Sequence, residues 1–333
     1  MVTGPSGIGK SDIIAQAAYY CEADVVLSHP ALSDPTDAKG LAWMNGNTGT
    51  AEFMPLGELN RVLSATKPTV WFLDDLGQAT PSVQASYMQW LLARQVGTHT
   101  LPDCVTIFAA TNRRQDRAGV SGILAPVRSR FASIVELEVD NAEWCDWAIQ
   151  HDIAPNVITF LRSIRPALLS TDDAPSAEIT NFPSPRTWAN LSKLEQLNLP
   201  SHIAIQAYGG AVGKGAATEY TAFCNELSNM VSLDAILENP ATAELPTKPP
   251  QCYATATGLA ARTNFRNFGG VIQYCDRWYN AGRSEFVSLF FQDTIMRDQR
   301  NRTDTGKMIV FHPEFLPACQ RMKIDAMCGI PER

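Results

Sequence analysis

The stretch of sequence that decides the fold lies near the start of the chain and reads Gly4-Pro5-Ser6-Gly7-Ile8-Gly9-Lys10-Ser11. It matches the phosphate-binding pattern G-x-x-x-x-G-K-[ST] at every fixed position. Glycines let the backbone curl so that successive N–H groups point at phosphate oxygens. Lys10 can then reach the β- and γ-phosphates, and the Ser11 hydroxyl can ligate Mg²⁺. The stretch therefore predicts a loop that binds a nucleoside triphosphate with its metal ion.

The residues around this loop predict a strand before it and a helix after it. Apolar residues recur at helical spacing directly after the loop, at Ile13, Ile14, Ala17, Ala18 and Cys21. They predict a buried helix whose positive N-terminal end faces the phosphates. Only Met1, Val2 and Thr3 precede Gly4. The first strand is therefore expected to be either reduced to a stub or missing.

Two acids end a second informative stretch, Val70-Trp71-Phe72-Leu73-Asp74-Asp75. Four apolar residues followed by carboxylates predict a buried parallel strand, and ligands bind at the C-terminal end of such strands. Asp74 is expected to hold Mg²⁺, directly or through water, and Asp75 to orient and polarise the attacking water. The second acid, at position 75, is Asp rather than Glu. Because the Asp side chain is one methylene shorter, we expect looser positioning of the water and slower turnover.

Two more polar residues follow predicted elements. The apolar run 105–111 predicts a strand that ends at Asn112, whose amide can contact the γ-phosphate or its water, although Asn is also a common turn former. Five arginines lie between positions 113 and 130, against one acid, Asp116. Arg130, after a short predicted helix, suits stabilisation of charge on a transferring phosphoryl group from a neighbouring subunit. The alternative is a solvated basic face.

Between these motifs the sequence predicts two further features. Residues 29–55 are rich in Pro, Gly, Asp and Thr and contain Trp43, Met44 and Phe53. A loop of this length is usually functional or mobile, and the alternative is a surface excursion without a role. Residues 82–93 predict one helix, and 95–102 predict a hairpin that turns near Gly97.

The second half of the chain predicts mainly helices. Residues 140–238 have helical periodicity, and Ser184-Pro185-Arg186 opens one helix, so Arg186 either points back to the nucleotide or lies on the helix surface. Four prolines between 239 and 251 predict a linker. Residues 252–333 are basic and aromatic and include Phe286, Val287, Phe290 and Phe291. Such a stripe can bind single-stranded nucleic acid, but it is more often part of a core.

Composition excludes several classes of protein. The 333 residues are 45% hydrophobic and 18% charged, which is typical of a globular protein. The net charge of −7 does not favour a polyanion as partner, although residues 251–333 carry 11 basic and 8 acidic side chains. The eight cysteines include no C-x-x-C pair, so we expect reduced thiols in a cytosol. No apolar run approaches the ~18 residues of a membrane span.

Taken together, the motifs occur in the order found in AAA+ ATPases, and the chain resembles the MoxR-like branch, whose relatives also occur in tailed phages and prophages. The resemblance covers about residues 4–200. It implies a three-layer αβα core with a parallel sheet at 1–139, followed by a helical lid that we place at 140–238. The linker at 239–251 and the mostly helical region at 252–333 are predicted from the sequence pattern, and the resemblance implies no role for the latter. It also implies that Asn112 is the sensor 1 residue, Arg130 the arginine finger and Arg186 the sensor 2 residue.

The same resemblance implies a mechanism and a location. Subunits form a ring, expected to be a hexamer, with ATP and Mg²⁺ at each interface and Arg130 completing the site of its neighbour. The insert 37–53 and the hairpin 95–104 are expected to face a protein client in the bacterial cytoplasm, with no membrane partner. Two alternatives stay open: a nucleic-acid motor or loader that uses the basic C-terminal region, and a nucleotide-gated binding module that hydrolyses little ATP.

Overall fold

The computed structural model describes residues 1–46, 49–113, 122–169, 180–227, 232–300 and 307–324. These residues form two compact units, Met1–Glu138 and Val139–Arg333. No helix among the described residues is long and apolar enough to cross a membrane.

The first unit contains the strands and six of the helices. The strands are β1 (Val2–Gly4), β2 (Asp24–Ser28), β3 (Leu41–Asn45), β4 (Thr50–Met54), β5 (Thr69–Leu73), β6 (Gln95–Val96), β7 (His99–Thr100), β8 (Val105–Asn112) and β9 (Val135–Glu136). The helices are α1 (Lys10–Tyr20), α2 (Pro35–Lys39), α3 (Gly57–Leu63), α4 (Pro81–Ser86), α5 (Met88–Ala93) and α6 (Ala125–Arg128).

Five strands form one parallel sheet in the order β2-β5-β8-β1-β9. Side chains alternate across β5, so Trp71 and Leu73 enter a core with α3, α4 and α5, whereas Phe72 packs with Ile14 of α1. Helices therefore cover both faces of the sheet. This architecture, followed by a helical second unit, confirms the predicted α/β P-loop fold class.

The first strand is present and short. Its three residues, Val2–Gly4, pair with β8 on one side, and Val2 and Thr3 pair with β9 on the other. Because β1 lies inside the sheet, Gly4 is aligned with Asn112 at the end of β8. Of the two alternatives for the first strand, the structure shows the stub.

Two helices differ in the structure from what the sequence predicts. Helix α1 is not buried all round: Lys10, Ile14 and Ala18 are buried at i, i+4 and i+8, whereas Ile13 is 47% exposed. A helix that covers one face of a sheet buries one stripe. The helix expected at 82–93 is two helices, α4 and α5. At their junction Ser86 Oγ donates to Val83 O, and the N–H of Tyr87 donates to Gln84 O, three residues back.

The long segment 29–55 is structured rather than a simple loop. It contains α2 and an antiparallel hairpin in which β3 pairs with β4. Large apolar side chains on this hairpin are exposed to solvent: Leu41, Trp43, Met44, Phe53 and Met54. We call these five residues the hairpin surface. The predicted second hairpin is also present as β6 and β7, and Gly97 takes φ 58° in its turn.

The second unit is helical. Its helices are α7 (Asn141–Gln150), α8 (Pro155–Thr159), α9 (Pro185–Glu195), α10 (Ser201–Val212), α11 (Lys214–Leu227), α12 (Leu233–Glu238), α13 (Pro249–Arg262), α14 (Phe268–Asn280), α15 (Ser284–Arg300) and α16 (Phe315–Arg321). The predicted linker, 239–251, lies inside this unit, and its last three residues begin α13.

Two hydrophobic clusters stabilise this unit. One is built mainly from α7 to α11, and the other from α12 to α16. Phe286, Val287, Phe290 and Phe291 all belong to the second cluster, and the last three are 0% exposed. We call this cluster the C-terminal core. Its aromatic stripe is packing, so it does not present stacking surfaces to nucleic acid.

Candidate active site

The loop before α1 has the backbone geometry that its glycines permit. Gly7 and Gly9 take φ of 80° and 93°, in the left-handed region that favours glycine. At Gly4 a Cβ atom would come within 2.7 Å of both Ile8 Cδ1 and Leu137 O, so only glycine fits where β1 passes into the loop. The loop ends at Lys10, the first residue of α1. Its N–H groups and the helix N-terminus therefore lie where an anion is expected to bind.

Lys10 is buried, with 7% of its surface exposed. Its Nζ donates to Gly4 O at 3.0 Å and to Pro5 O at 2.8 Å, which fixes the lysine across its own loop. It also donates to Asn112 Oδ1 at 2.7 Å, across the β1–β8 pair. The structure thus brings together two residues that are separated by 102 positions in sequence.

Ser11 and Asp74 form the second contact of the site. Ser11 Oγ donates to Asp74 Oδ2 at 2.6 Å. Asp74 follows directly after β5, and its N–H bonds Ser28 O, which holds the acid against the end of β2. A hydroxyl and a carboxylate are hard oxygen ligands of the kind that Mg²⁺ prefers, and Mg²⁺ commonly takes one or two protein ligands besides phosphates and water. The donor set therefore fits a magnesium nucleotide.

Asp75 takes a left-handed backbone conformation, with φ 54° and ψ 35°. Asp and Asn are enriched in this conformation because their short side chains tolerate it. The backbone therefore gives a structural reason for Asp rather than Glu at position 75. Asn112 Nδ2 donates to Asp75 Oδ1 at 3.4 Å, and Gln78 Nε2 donates to the same oxygen at 3.3 Å. Asn112 thus bridges Lys10 and Asp75.

Gln78 was not among the residues predicted from the sequence. It reaches Asp75 because the chain folds into one 3-10 turn, Leu76–Gln78, directly after the acid. At Gly77 in this turn, a Cβ would lie 2.2 Å from Thr111 Oγ1, so the turn packs tightly under the end of β8. The signal for this geometry in the sequence is the Asp-x-Gly-Gln spacing, which is too common to identify a site.

Of the two predicted arginines, Arg130 lies in the first unit and makes none of these described contacts, and Arg186 lies in the second unit. Arg130 follows α6 and is half-buried; its guanidinium donates to Pro126 O, and its Nε has no hydrogen-bond partner among the described residues. Arg186 is exposed in the first turn of α9, which Ser184 caps. Of the other arginines between 113 and 130, Arg113 pairs with Glu136, and Arg114 and Arg117 lie outside the described residues.

Comparisons with known proteins give distant structural likenesses. No protein-family model matches the chain, and no curated protein matches it. Among solved structures it is similar to a mutant of RuvB from Thermotoga maritima, with 15% identity over 78% of this chain and 73% of that one and a TM-score of 0.39.

Two further solved structures are similar to the same degree. A structure described as the Thermotoga maritima RuvB Holliday junction branch migration motor has 14% identity, covering 78% of this chain and 72% of that one, with a TM-score of 0.37. NtrX from Brucella abortus has 15% identity, covering 88% of this chain and 63% of that one, also with a TM-score of 0.37. Likenesses this distant carry no weight for function.

Proposed function

We propose that this chain is an ATP-binding and ATP-hydrolysing protein of the AAA+ type. The observation that carries the proposal is the Ser11 Oγ–Asp74 Oδ2 contact of 2.6 Å beside the buried Lys10, at the C-terminal edge of a parallel sheet. Ser11 comes from the loop near the start of the chain, and Asp74, 63 residues later, follows strand β5. Their hydroxyl and carboxylate groups are complementary. Each group has the chemistry that a magnesium nucleotide requires.

Each residue has a distinct role in this proposal. The loop N–H groups and Lys10 bind and orient the β- and γ-phosphates. Ser11 and Asp74 would hold Mg²⁺, which would neutralise charge that develops on the phosphate oxygens. Asp75 orients the attacking water with the carboxylate that Asn112 and Gln78 hold in place. Arg186, in the other unit, is proposed to contact the nucleotide as the sensor 2 residue.

Hydrolysis is proposed to depend on assembly. An arginine supplied by a neighbouring subunit stabilises the transition state of phosphoryl transfer and raises kcat by about 10³–10⁵. Arg130 is our candidate, because it lies beyond α6 and the described hydrogen bond of its guanidinium is to its own turn. We propose that the subunits form a closed hexameric ring. Such a ring would place one arginine at every nucleotide-binding site.

A protein client is the partner that we propose, in the manner of MoxR-like remodelling ATPases encoded by bacteria or their phages. The hairpin surface supports this proposal, because Trp43 is 68% exposed and Met44 is 64% exposed. Exposed aromatic and methionine side chains are enriched where proteins bind one another. The second hairpin lies beside it, since the His99 ring contacts Phe53 O at 2.5 Å. Trp43→Ser is expected to weaken client capture without changing nucleotide affinity.

The low-hydrolysis module remains as a second candidate, because Asp75 Oδ1 already accepts from both Gln78 and Asn112. The nucleic-acid motor has less support, since the aromatic stripe that suggested it is buried in the C-terminal core. Single-turnover assays separate the two ATP-dependent candidates. A large gain in Asp75→Glu would favour the module, whereas fast turnover in the wild type would contradict it.

Steady-state ATP hydrolysis tests the main proposal. Lys10→Ala is expected to abolish turnover, because the γ-phosphate loses the cation that orients it, and Arg130→Ala is expected to lower kcat about a thousandfold while nucleotide still binds. The matched controls are Lys193→Ala and Arg128→Ala, which are both exposed, the second in the helix that precedes Arg130. Unchanged turnover in Arg130→Ala would contradict the shared site, and turnover in Lys10→Ala would contradict the site itself.

A further inference from the structure

One buried glutamine joins two segments that the proposed reaction uses separately. Gln84 of α4 is 0% exposed. Its Nε2 donates to Ala79 O at 3.0 Å and to Gly122 O at 2.9 Å. Its Oε1 accepts from the N–H of Leu124 at 2.9 Å. The side chain therefore bonds backbone groups from two segments that lie about 40 residues apart in sequence.

The two segments lead to different functional residues. Ala79 ends the 3-10 turn that starts at Asp75, and its N–H bonds Leu76 O inside that turn. Leu124 is the N-cap residue of α6, and its carbonyl accepts from the N–H of Arg128 at 2.9 Å. The chain reaches Arg130 directly after this helix. Gln84 therefore lies between the turn that positions Asp75 and the helix that positions Arg130.

A second contact holds the same two segments together. Gly77 approaches Thr111 so closely that no side chain fits, and Ile123 Cδ1 lies 3.4 Å from where its Cβ would be. The turn is thus wedged between the end of β8, which carries Asn112, and the segment bonded to Gln84. Because buried backbone groups are costly to leave unsatisfied, we expect a shift of this turn to move Gln84 and the start of α6 with it.

We propose that Gln84 is a positioning residue that couples the two ends of the shared site. It links Asp75, which acts on the nucleotide bound by its own subunit, to Arg130, which acts on the nucleotide bound by the neighbour. This inference rests on the proposed function. The nucleotide state of one subunit's site would thereby set the position of its Arg130 in the neighbouring subunit's site. The contact that carries this effect, through Gln84, lies within one subunit.

A double-mutant cycle tests the coupling, because pathways need a measured interaction between the residues. Gln84→Met keeps the length of the side chain and removes its donors and acceptor. We expect kcat to fall about 10- to 100-fold, as for a small misplacement of a reacting group, with the Kd for ATP unchanged. In the Arg130→Ala background the same substitution is expected to cause a much smaller loss, because the part of its effect that acts through Arg130 is already absent. Ser86→Ala is the matched control, because Ser86 is buried in α4 and its hydroxyl bonds Val83 O in the same helix.

Additive losses in the two backgrounds would overturn the role of Gln84 while leaving the ATPase proposal intact. A folded wild type without ATP turnover, or Arg130→Ala with full turnover, would refute the shared site and the coupling with it. Should Gln84→Met fail to fold, hydrogen–deuterium exchange on the wild type gives the answer. A non-hydrolysable ATP analogue is expected to change exchange at residues 76–80 and 122–128 together. A change at 76–80 alone would overturn the proposal.

Discussion

The hairpin surface and the C-terminal core both contain large apolar side chains from segments that also carry polar residues. The two sets differ in their exposure to solvent. Trp43 and Met44 are mostly exposed, whereas Phe290 and Phe291 are fully buried. The sequence left the second set open between stacking on nucleic acid and core packing, with core packing the commoner outcome, whereas the insert 37–53 was expected to face a client. The comparison shows that aromatic content does not identify a binding surface by itself. Of these two sets of side chains, the hairpin surface is the one exposed to solvent.

The largest expected contrast is in stability. Phe291 packs edge-to-face on Phe268, Phe290 and Phe315. Phe291→Ala is expected to lower the free energy of unfolding by about 3–5 kcal/mol, because it leaves a cavity in the C-terminal core. Trp43→Ala is expected to change it by no more than about 0.5 kcal/mol. Urea denaturation measures both, and equal losses would show that the hairpin residue is also structural.

A second contrast concerns buried and exposed ion pairs. Arg162 Nη1 donates to both carboxylate oxygens of Asp293, at 2.8 and 3.0 Å, and Asp293 is 2% exposed. This pair fixes α15, which also carries Phe290 and Phe291. Arg162→Ala is expected to cost about 3–5 kcal/mol, because it leaves a carboxylate buried without its counter-charge.

The matched control for this pair is Arg262→Ala, which breaks the exposed pair with Asp234 and is expected to cost about 0–1 kcal/mol. The double variant Arg162→Met, Asp293→Leu should recover most of the loss, since it removes both charges. If the double variant is as unstable as Arg162→Ala, the loss comes from packing rather than from the buried charge.

A smaller effect is expected at Gln78, which acts in the first unit without contributing to a core. Gln78→Ala removes one of the two side-chain hydrogen bonds described at Asp75 Oδ1. A net loss of about 0.5–1.5 kcal/mol corresponds to a fall in kcat of up to about tenfold, with KM unchanged. Steady-state kinetics measures the two constants separately. A change in KM alone would place Gln78 in nucleotide binding instead.

The smallest expected effect is a pH dependence of the C-terminal core. Burial raises the pKa of Asp298, and the N–H groups of Val310 and Ile309 oppose this. Between the unfolded pKa and the higher folded pKa, the folded state binds more protons, so the free energy of unfolding falls as pH rises through this window. Asp298→Asn should flatten that decline. The control is Glu285→Gln at the exposed start of α15. If the free energy of unfolding of Asp298→Asn has the same pH dependence as that of the wild type, the decline does not come from Asp298.

Local patterns predicted the parts of the site whose chemistry is local. The loop with Lys10 and Ser11 and the strand ending in Asp74 and Asp75 were identified because each motif is contiguous. The contacts of Gln78 and Gln84 could not be predicted in this way. Gln84 bonds Gly122 and Leu124, and these contacts exist only once α4 lies against that segment.

Burial was the property that the sequence predicted least well. The helical periodicity of α1 was correct, yet the sheet covers only one stripe of it and leaves Ile13 exposed. The strands of the hairpin were missed because residues 29–55 are rich in Pro, Gly and Asp, which are depleted in strands. Its exposed apolar side chains also lack the alternation that a half-buried strand shows.

The central claim is that the opening loop and the two acids from β5 together bind a magnesium nucleotide. Isothermal titration calorimetry of the full chain with Mg²⁺ and a non-hydrolysable ATP analogue tests it most directly. We predict saturable binding that weakens about 10- to 100-fold in Lys10→Ala, where a buried charge-assisted contact worth about 1.5–3 kcal/mol is lost, and that is retained in Lys193→Ala. A folded wild type that binds no nucleotide, or a Lys10→Ala variant that binds it equally well, would contradict the claim.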